Sequence, residues 1–300
     1  MKRVIAVIGA AMVAMVLAGC GGSGAGSAKD ASDAVDKGTE TNAVEAAPAS
    51  QSVGDPEVAE TVLVDEAGVR ITATGLDNKL AGPVLKLLVE NNSGQDLIFQ
   101  SRNVSVNGYM IDALMSTNVA DGKKANDKLT FARSALQRSG IETFADIQLS
   151  FHIFSSDGWE TYLDTAPIDL PTSIADSYSY EYDDSGEVLY EGEGVKVIAK
   201  GLSENASYLG PGVVVEVINE RDASVIVQTR DTSINGFMME PFFSADVCAG
   251  KRCVDGVTFA SSDLESNDIE TIENVELSFH VFDMKSWDTI VDTNTVTINF

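Results

Sequence analysis

Apolar and polar residues alternate with a period of two along most of the chain after residue 58. Val69, Ile71 and Ala73 alternate with Arg70, Thr72 and Thr74, and Leu149, Phe151 and Ile153 alternate with Gln148, Ser150 and His152. Enrichment in Val, Ile, Thr and aromatic residues selects half-buried strands over helices, so one face of each strand must find a second sheet. Turn residues bound the strands at 91–94, 107–108 and 121–122, and again at 219–222, 235–236 and 249–250. Asn-Gly at 107–108 and 235–236 tolerates the positive φ of a type I′ turn, whose twist matches flanking antiparallel strands. Helical turns are expected only around 133–138 and 262–266, where Ser262 and Glu265 have capping-box spacing.

The pattern occurs twice. VSVNGYMI at 104–111 returns as TSINGFMM at 232–239, VRITATGL at 69–76 as VKVIAKGL at 195–202, and NVADGKKANDKLTF at 118–131 as DVCAGKRCVDGVTF at 246–259. IQLSFHIFSSDGWETYLDT at 147–165 returns as VELSFHVFDMKSWDTIVDT at 275–293. From Gly82 onward the copies are 128 residues apart, and before it 126, so a whole folding unit is duplicated rather than an isolated motif. Roughly six or seven strands over about 110 residues, twice, fit an all-β chain of two tandem antiparallel sandwiches. The organisation expected is a β-sandwich at 58–172, a connector at 173–187 and a second sandwich at 188–300. The connector carries Tyr178, Tyr180 and Tyr182, which share a face if the segment is extended. It reads as a docked edge strand or, alternatively, as an exposed tyrosine patch for a carbohydrate or protein.

The N-terminus lies outside this pattern. Lys2 and Arg3 precede an apolar run from Val4 to Leu17, too short to span a bilayer comfortably and shaped like an export signal. Leu17, Ala18, Gly19 and Cys20 resemble the lipobox of bacterial lipoproteins, which implies removal of 1–19 and lipidation of Cys20. Two acyl chains hold firmly where one holds weakly, so the chain is expected on the outer face of the bacterial cytoplasmic membrane. Residues 20–57 are rich in Gly, Ala, Ser and acids and have no aromatics. They read as a flexible tether with a reach of roughly 30 to 35 Å.

The chain has 46 acidic and 20 basic residues, a formal charge of -26. Loss of Lys2 and Arg3 with the signal leaves 18 against 46, or -28. Such a charge opposes nucleic acid and anionic lipid as partners, while 44% hydrophobic residues argue against global disorder. The lipobox, the tether and the repeated SVNGYM, ADGKK and SFHIF motifs resemble predicted Gram-positive lipoproteins with tandem immunoglobulin-like domains of unknown function, and zinc-ribbon-linked surface proteins related to them. The resemblance spans nearly all of 60–300 and implies immunoglobulin-like sandwiches. It brings no activity to any residue, and the zinc-ribbon cysteines are missing here.

Candidate chemistry is sparse. Cys248 and Cys253 face an oxidising compartment and are expected to form a disulfide, although Ala120 and Ala125 replace them in the first copy. His152 and His280 each stand alone on the strand face opposite Phe151 and Phe279, which suits a locally hydrogen-bonded sheet residue better than a triad. Trp159 and Trp287 are expected to plug a core, with stacking on sugar or peptide as the alternative. Lys123, Lys124, Lys251 and Arg252 are solvated turn residues or contacts for an anionic group. The acids at Asp183, Asp184 and Glu187, and at Asp263, Glu265 and Asp268, lack the spacing of a calcium loop. No phosphate loop, HExxH or GxSxG motif occurs. No catalytic residue, metal or cofactor is therefore expected. The function expected is non-catalytic binding of an envelope protein or glycan at the cell surface, with a structural spacer as the alternative and an extracytoplasmic hydrolase as a remote one.

Overall fold

The computed structural model describes residues 55–77, 82–207 and 209–300. The signal segment, Cys20 and the tether through residue 54 lie outside the described residues. In the first copy the strands are β1 (Thr61–Glu66), β2 (Val69–Asp77), β3 (Val84–Asn91), β4 (Leu97–Val106), β5 (Tyr109–Met110), β6 (Ala113–Leu114), β7 (Ser116–Val119), β8 (Lys123–Phe131), β9 (Asp146–Ser155), β10 (Thr161–Asp164) and β11 (Ile168–Pro171), with α1 (Arg133–Arg138) after β8. The second copy has β12 (Glu187–Gly192), β13 (Val195–Ser207), β14 (Gly210–Asn219), β15 (Val225–Ile234), β16 (Phe237–Met238), β17 (Ser244–Val247), β18 (Arg252–Thr258), β19 (Asn274–Asp283), β20 (Thr289–Asp292) and β21 (Val296–Asn299), with α2 (Ser261–Ser266) after β18. The all-β reading holds, with more and shorter strands than the alternation suggested. Register also breaks within strands, as between Arg102 and Ser105 of β4, where Asn103 takes φ 53°.

Each copy closes a core between two sheets. Ile71 and Leu87 on one side meet Phe99 and Phe151 on the other, all essentially inaccessible. Val197 and Val215 meet Val227 and Phe279 in the same way. Side chains buried to this extent each contribute roughly 1.5 to 3 kcal/mol, which is why the period-two pattern decides the fold.

The repeated Asn-Gly motif has a structural job. Asn107 and Gly108 have φ 48° and 84°, and Asn235 and Gly236 have φ 50° and 84°, as a I′ hairpin requires. Each asparagine side chain also clamps the loop ahead of β9 or β19. Asn107 accepts from Ala145 N at 2.8 Å and donates to Thr143 O at 2.8 Å. Asn235 accepts from Glu273 N at 2.9 Å and donates to Thr271 O at 2.8 Å. The helical turns form where expected, but α2 starts from Ala260 without a side-chain cap. The Ser262 hydroxyl instead contacts Asp263 Oδ1 at 3.3 Å, so the Ser262/Glu265 spacing makes no capping box.

The sheets are not confined to single copies. β5 pairs in parallel with β18 through Tyr109 and Arg252, and Arg252 N donates to Gly108 O at 3.0 Å. One sheet therefore runs β10-β9-β4-β5-β18-β14-β13-β12, flanked by β1-β2-β3-β8-β6 and β16-β15-β19-β20. Val254 of the second copy packs into the first core, and Met110 of the first against the second.

Candidate binding surfaces

Two features carry polar chemistry: a buried carboxylate hub between the copies, and an aromatic–polar face that each copy presents to solvent.

The hub forms where β5 meets β14 and β18. Glu216 on β14 is completely buried, and its Oε1 accepts from the Tyr109 hydroxyl at 3.0 Å and from Arg252 Nη1 at 3.0 Å. Lys200 Nζ stands 3.1 Å from Oε2. Arg252 also pairs with Asp184, and its guanidinium lies 4.0 Å over the Tyr182 ring. Tyr182 and Tyr180 pack edge-on against Tyr109 at 5.5 and 5.7 Å, and Tyr180 donates to Ser139 O at 2.6 Å. The connector is thus docked, as expected, through Tyr180 and Tyr182, with Tyr178 half-buried beside them. It contains no strand, however, because residues 172–186 dock by side chains and carry no ladder.

Burial and the adjacent Glu216 push the Tyr109 hydroxyl well above the usual tyrosine range. For Arg252, desolvation opposes the charge, but hydrogen bonds to Asp184 and Glu216 outweigh it and raise the guanidinium further. Arg252 is therefore spent inside the protein and is no surface ligand contact. Its partners in the basic set stay at the surface: Lys124 pairs with Glu90, Lys123 is exposed, and Lys251 sits near Asp146. The basic turns are not one patch.

Cys248 and Cys253 are free thiols in this structure, so the expected disulfide is not present. Cys248 lies in the turn after β17, where its thiol is tied to Ser224. Cys253 points from β18 into the protein, where burial pushes its thiol up. A cleft of about 280 Å³ lies alongside, lined by Arg102, Asp112, Arg138, Asp246, Cys253 and Asp255 among others. Arg138 pairs with Asp255 at 3.1 Å. Burial pushes both Asp246 and Asp255 up. Among the described residues no three His, Cys, Asp or Glu side chains converge as a metal site.

The aromatic face overturns the expectation that the tryptophans plug a core. Trp159 is 65% exposed and Trp287 69%. Each follows a tight turn and adopts φ 59° or 65°, with Trp159 N bonded to Ser155 O at 3.1 Å and Trp287 N to Asp283 O at 2.9 Å. That left-handed position ordinarily goes to glycine, and a bulky residue there is a true outlier. From it each indole lies across a phenylalanine of the preceding strand, Phe154 at 5.4 Å and 20° or Phe282 at 5.7 Å and 25°. A histidine continues each stack, His152 and His280, both at 5.0 Å. The histidines are locally bonded as expected: His152 Nδ1 is 2.5 Å from Asp164 Oδ1, and His280 Nδ1 is 2.6 Å from Asp292 Oδ1.

Strand register extends this into a polar row. Ser116, Gln100, His152 and Asp164 lie opposite one another across β7, β4, β9 and β10. Ser244, Gln228, His280 and Asp292 repeat the row across β17, β15, β19 and β20. Sequence reading missed the row because its members are 12 to 64 positions apart; the only available signal was that all of them recur at the 128-residue offset.

No known protein family and no curated protein matches the chain. Solved structures similar to it include the YadV chaperone, at 12% identity over 78% of this chain and 100% of that one, with a TM-score of 0.24. The Salmonella enterica SafA pilin in complex with the SafB chaperone is similar at 11% identity over 79% of this chain and 98% of that one, TM-score 0.22. Red sea bream transglutaminase is similar at 10% identity over 72% of this chain and 28% of that one, TM-score 0.16. Scores this low carry no argument about what the chain does.

Proposed function

We propose that the chain is a lipid-tethered extracytoplasmic protein, anchored through Cys20 on the outer face of the bacterial cytoplasmic membrane, whose two immunoglobulin-like sandwiches bind an envelope protein or glycan without catalysis. The observation that supports binding is the exposed tryptophan stacked on a buried phenylalanine that a histidine flanks, with the polar row beside it, presented once by each copy at a position where the tryptophan strains the backbone. Strain of this kind persists where the surroundings over-determine it and clusters at ligand sites. Anchoring is supported by the short apolar run ending in Leu17, Ala18, Gly19 and Cys20.

Retention on native envelope material tests the binding reading. The wild-type chain is expected to be retained and the Trp159→Ala/Trp287→Ala double variant to be lost; equal retention of the two removes these faces from the function. Anchoring is tested separately by intact mass. A diacylglyceryl adduct on Cys20 that disappears in Cys20→Ser is expected, and an unmodified Cys20 from a lipoprotein-competent host would defeat it. The buried hub favours a second reading, a stiff spacer, since the continuous sheet and the Glu216 cluster couple the copies. On that reading the tryptophan variants keep every phenotype of the wild type.

A further inference from the structure

We infer that Trp159 and Trp287 are the stacking platforms of two equivalent saccharide sites, each taking a pyranose ring of a neutral glycan; the inference rests on the binding reading above and names its ligand. One face of each indole lies on a buried phenylalanine, and the other is open to solvent. The apolar C–H face of a sugar ring fits such a surface, while its hydroxyl edge needs donors and acceptors alongside. The row supplies both. Asp164 and Asp292 are mostly exposed, each with one oxygen engaged by a histidine and the other open. Gln100 and Gln228 follow in register, each within 3.4 Å of a serine hydroxyl.

The rest of the surface narrows the ligand. A purely aliphatic group gains nothing from a carboxylate and an amide at its rim, and leaves them to be desolvated without partners. Protease stripping of the wall separates a peptide ligand from a glycan. An anionic polymer meets Asp164 or Asp292 directly and a chain of net charge -26 behind it. The arginine on the same face, Arg102 or Arg230, lies one row beyond the histidine, on the side away from the phenylalanine and tryptophan. The second copy also serves as an internal control. The turn residues Ser155, Ser156, Asp157 and Gly158 have become Asp283, Met284, Lys285 and Ser286, yet the strained tryptophan, the phenylalanine, the histidine and the aspartate remain.

The two tryptophans are the only ones in the chain, so its tryptophan fluorescence, excited selectively at the red edge beyond tyrosine absorption, reports these two sites alone. The detergent-solubilised full chain would be applied to cell-wall polysaccharide stripped of protein by protease, with and without periodate oxidation, and its emission followed as the same polysaccharide is added in soluble form. The expected result is retention on the stripped wall, a fall of at least tenfold in Trp159→Ala/Trp287→Ala, loss after periodate, and a saturable emission change that each single variant reduces. Asp164→Asn/Asp292→Asn, which touches no core residue, is expected to weaken retention with the fold intact by circular dichroism. Retention on the stripped wall that ignores periodate or the tryptophans overturns the proposal. Retention on untreated envelope that disappears once protein is stripped also overturns it while the binding reading survives, and absence of retention on either material defeats both.

Discussion

The two Asn-Gly hairpins have the same sequence pattern and the same backbone, yet opposite fates. Tyr109 at the first tip is 3% exposed, against the hub. Phe237 and Met238 at the second tip are 47% and 70% exposed. Part of this difference lies in the tip, where Tyr109 carries the hydroxyl that Phe237 lacks. Part lies in what receives it: the second copy offers Glu216, Arg252 and Lys200, where the first has Leu88, Lys124 and Thr74. Duplication therefore supplied a docking arm twice, and three substitutions on the receiving sheet supplied a polar socket once. A fully desolvated carboxylate is costly unless it is paired and hydrogen-bonded, and here the tyrosine and arginine donate to Oε1 while the lysine ion-pairs with Oε2, each from a separate strand.

Converting one socket into the other gives the largest expected effect. Glu216→Leu copies the first sheet and leaves Tyr109, Arg252 and Lys200 without their shared acceptor, so urea unfolding is expected to show a loss of about 3 to 5 kcal/mol, as for a broken buried ion pair. A midpoint shift no larger than that of an exposed substitution would show that the hub holds nothing.

Next come the turn glycines. Gly108 and Gly236 share φ 84°, but an added Cβ on Gly108 would strike the Tyr182 hydroxyl while Gly236 faces open space. Gly236→Ala is expected to cost roughly 1 to 2 kcal/mol from the left-handed backbone alone, and Gly108→Ala to cost more by the undocking of the connector. Equal losses would mean the tyrosines can shift at no expense. Tyr109→Phe copies the second tip and removes one hydrogen bond to a charged acceptor, for about 1.5 kcal/mol, whereas Phe237→Tyr is expected to stay within about 0.5 kcal/mol, as exposed positions do.

The smallest expected effect concerns Asp246, whose counterpart is Asn118. Burial raises its proton affinity in the folded state, although the side chain keeps contact with solvent along the cleft. A carboxyl whose folded pKa lies above its unfolded value weakens the fold when ionised and gives that stability back as pH falls through the raised value. Asp246→Asn is therefore expected to be neutral or slightly stabilising at pH 7, with the gap to wild type closing as the pH is lowered toward the ordinary aspartate range. A gap that widens on acidification would reverse the sign and contradict the burial argument.

The strands, the two-sheet cores and the Asn-Gly turns were legible in the chain because alternation, β-branching and turn chemistry are local and were written twice. The Trp–Phe–His stack was half legible. Its residues drew notice through their repeat, but exposure was misjudged, since a large aromatic eight residues past a strand phenylalanine looks the same whether it turns inward or is held outward by a left-handed turn. The expected bridge between Cys248 and Cys253 rested on spacing and compartment alone, and neither reports where a thiol points.

Sequence by itself determined that the described part of the chain is all-β and duplicated, because burial of alternating side chains depends on neighbours two positions apart. Tertiary structure alone decided that the copies share a sheet and that Glu216, an ordinary outward position in a strand pattern, becomes a buried hub. It also decided that Gln100, His152 and Asp164 stand in one row. Those outcomes depend on register and on docking between strands far apart in the chain, where a single-residue shift would send every side chain to the other face.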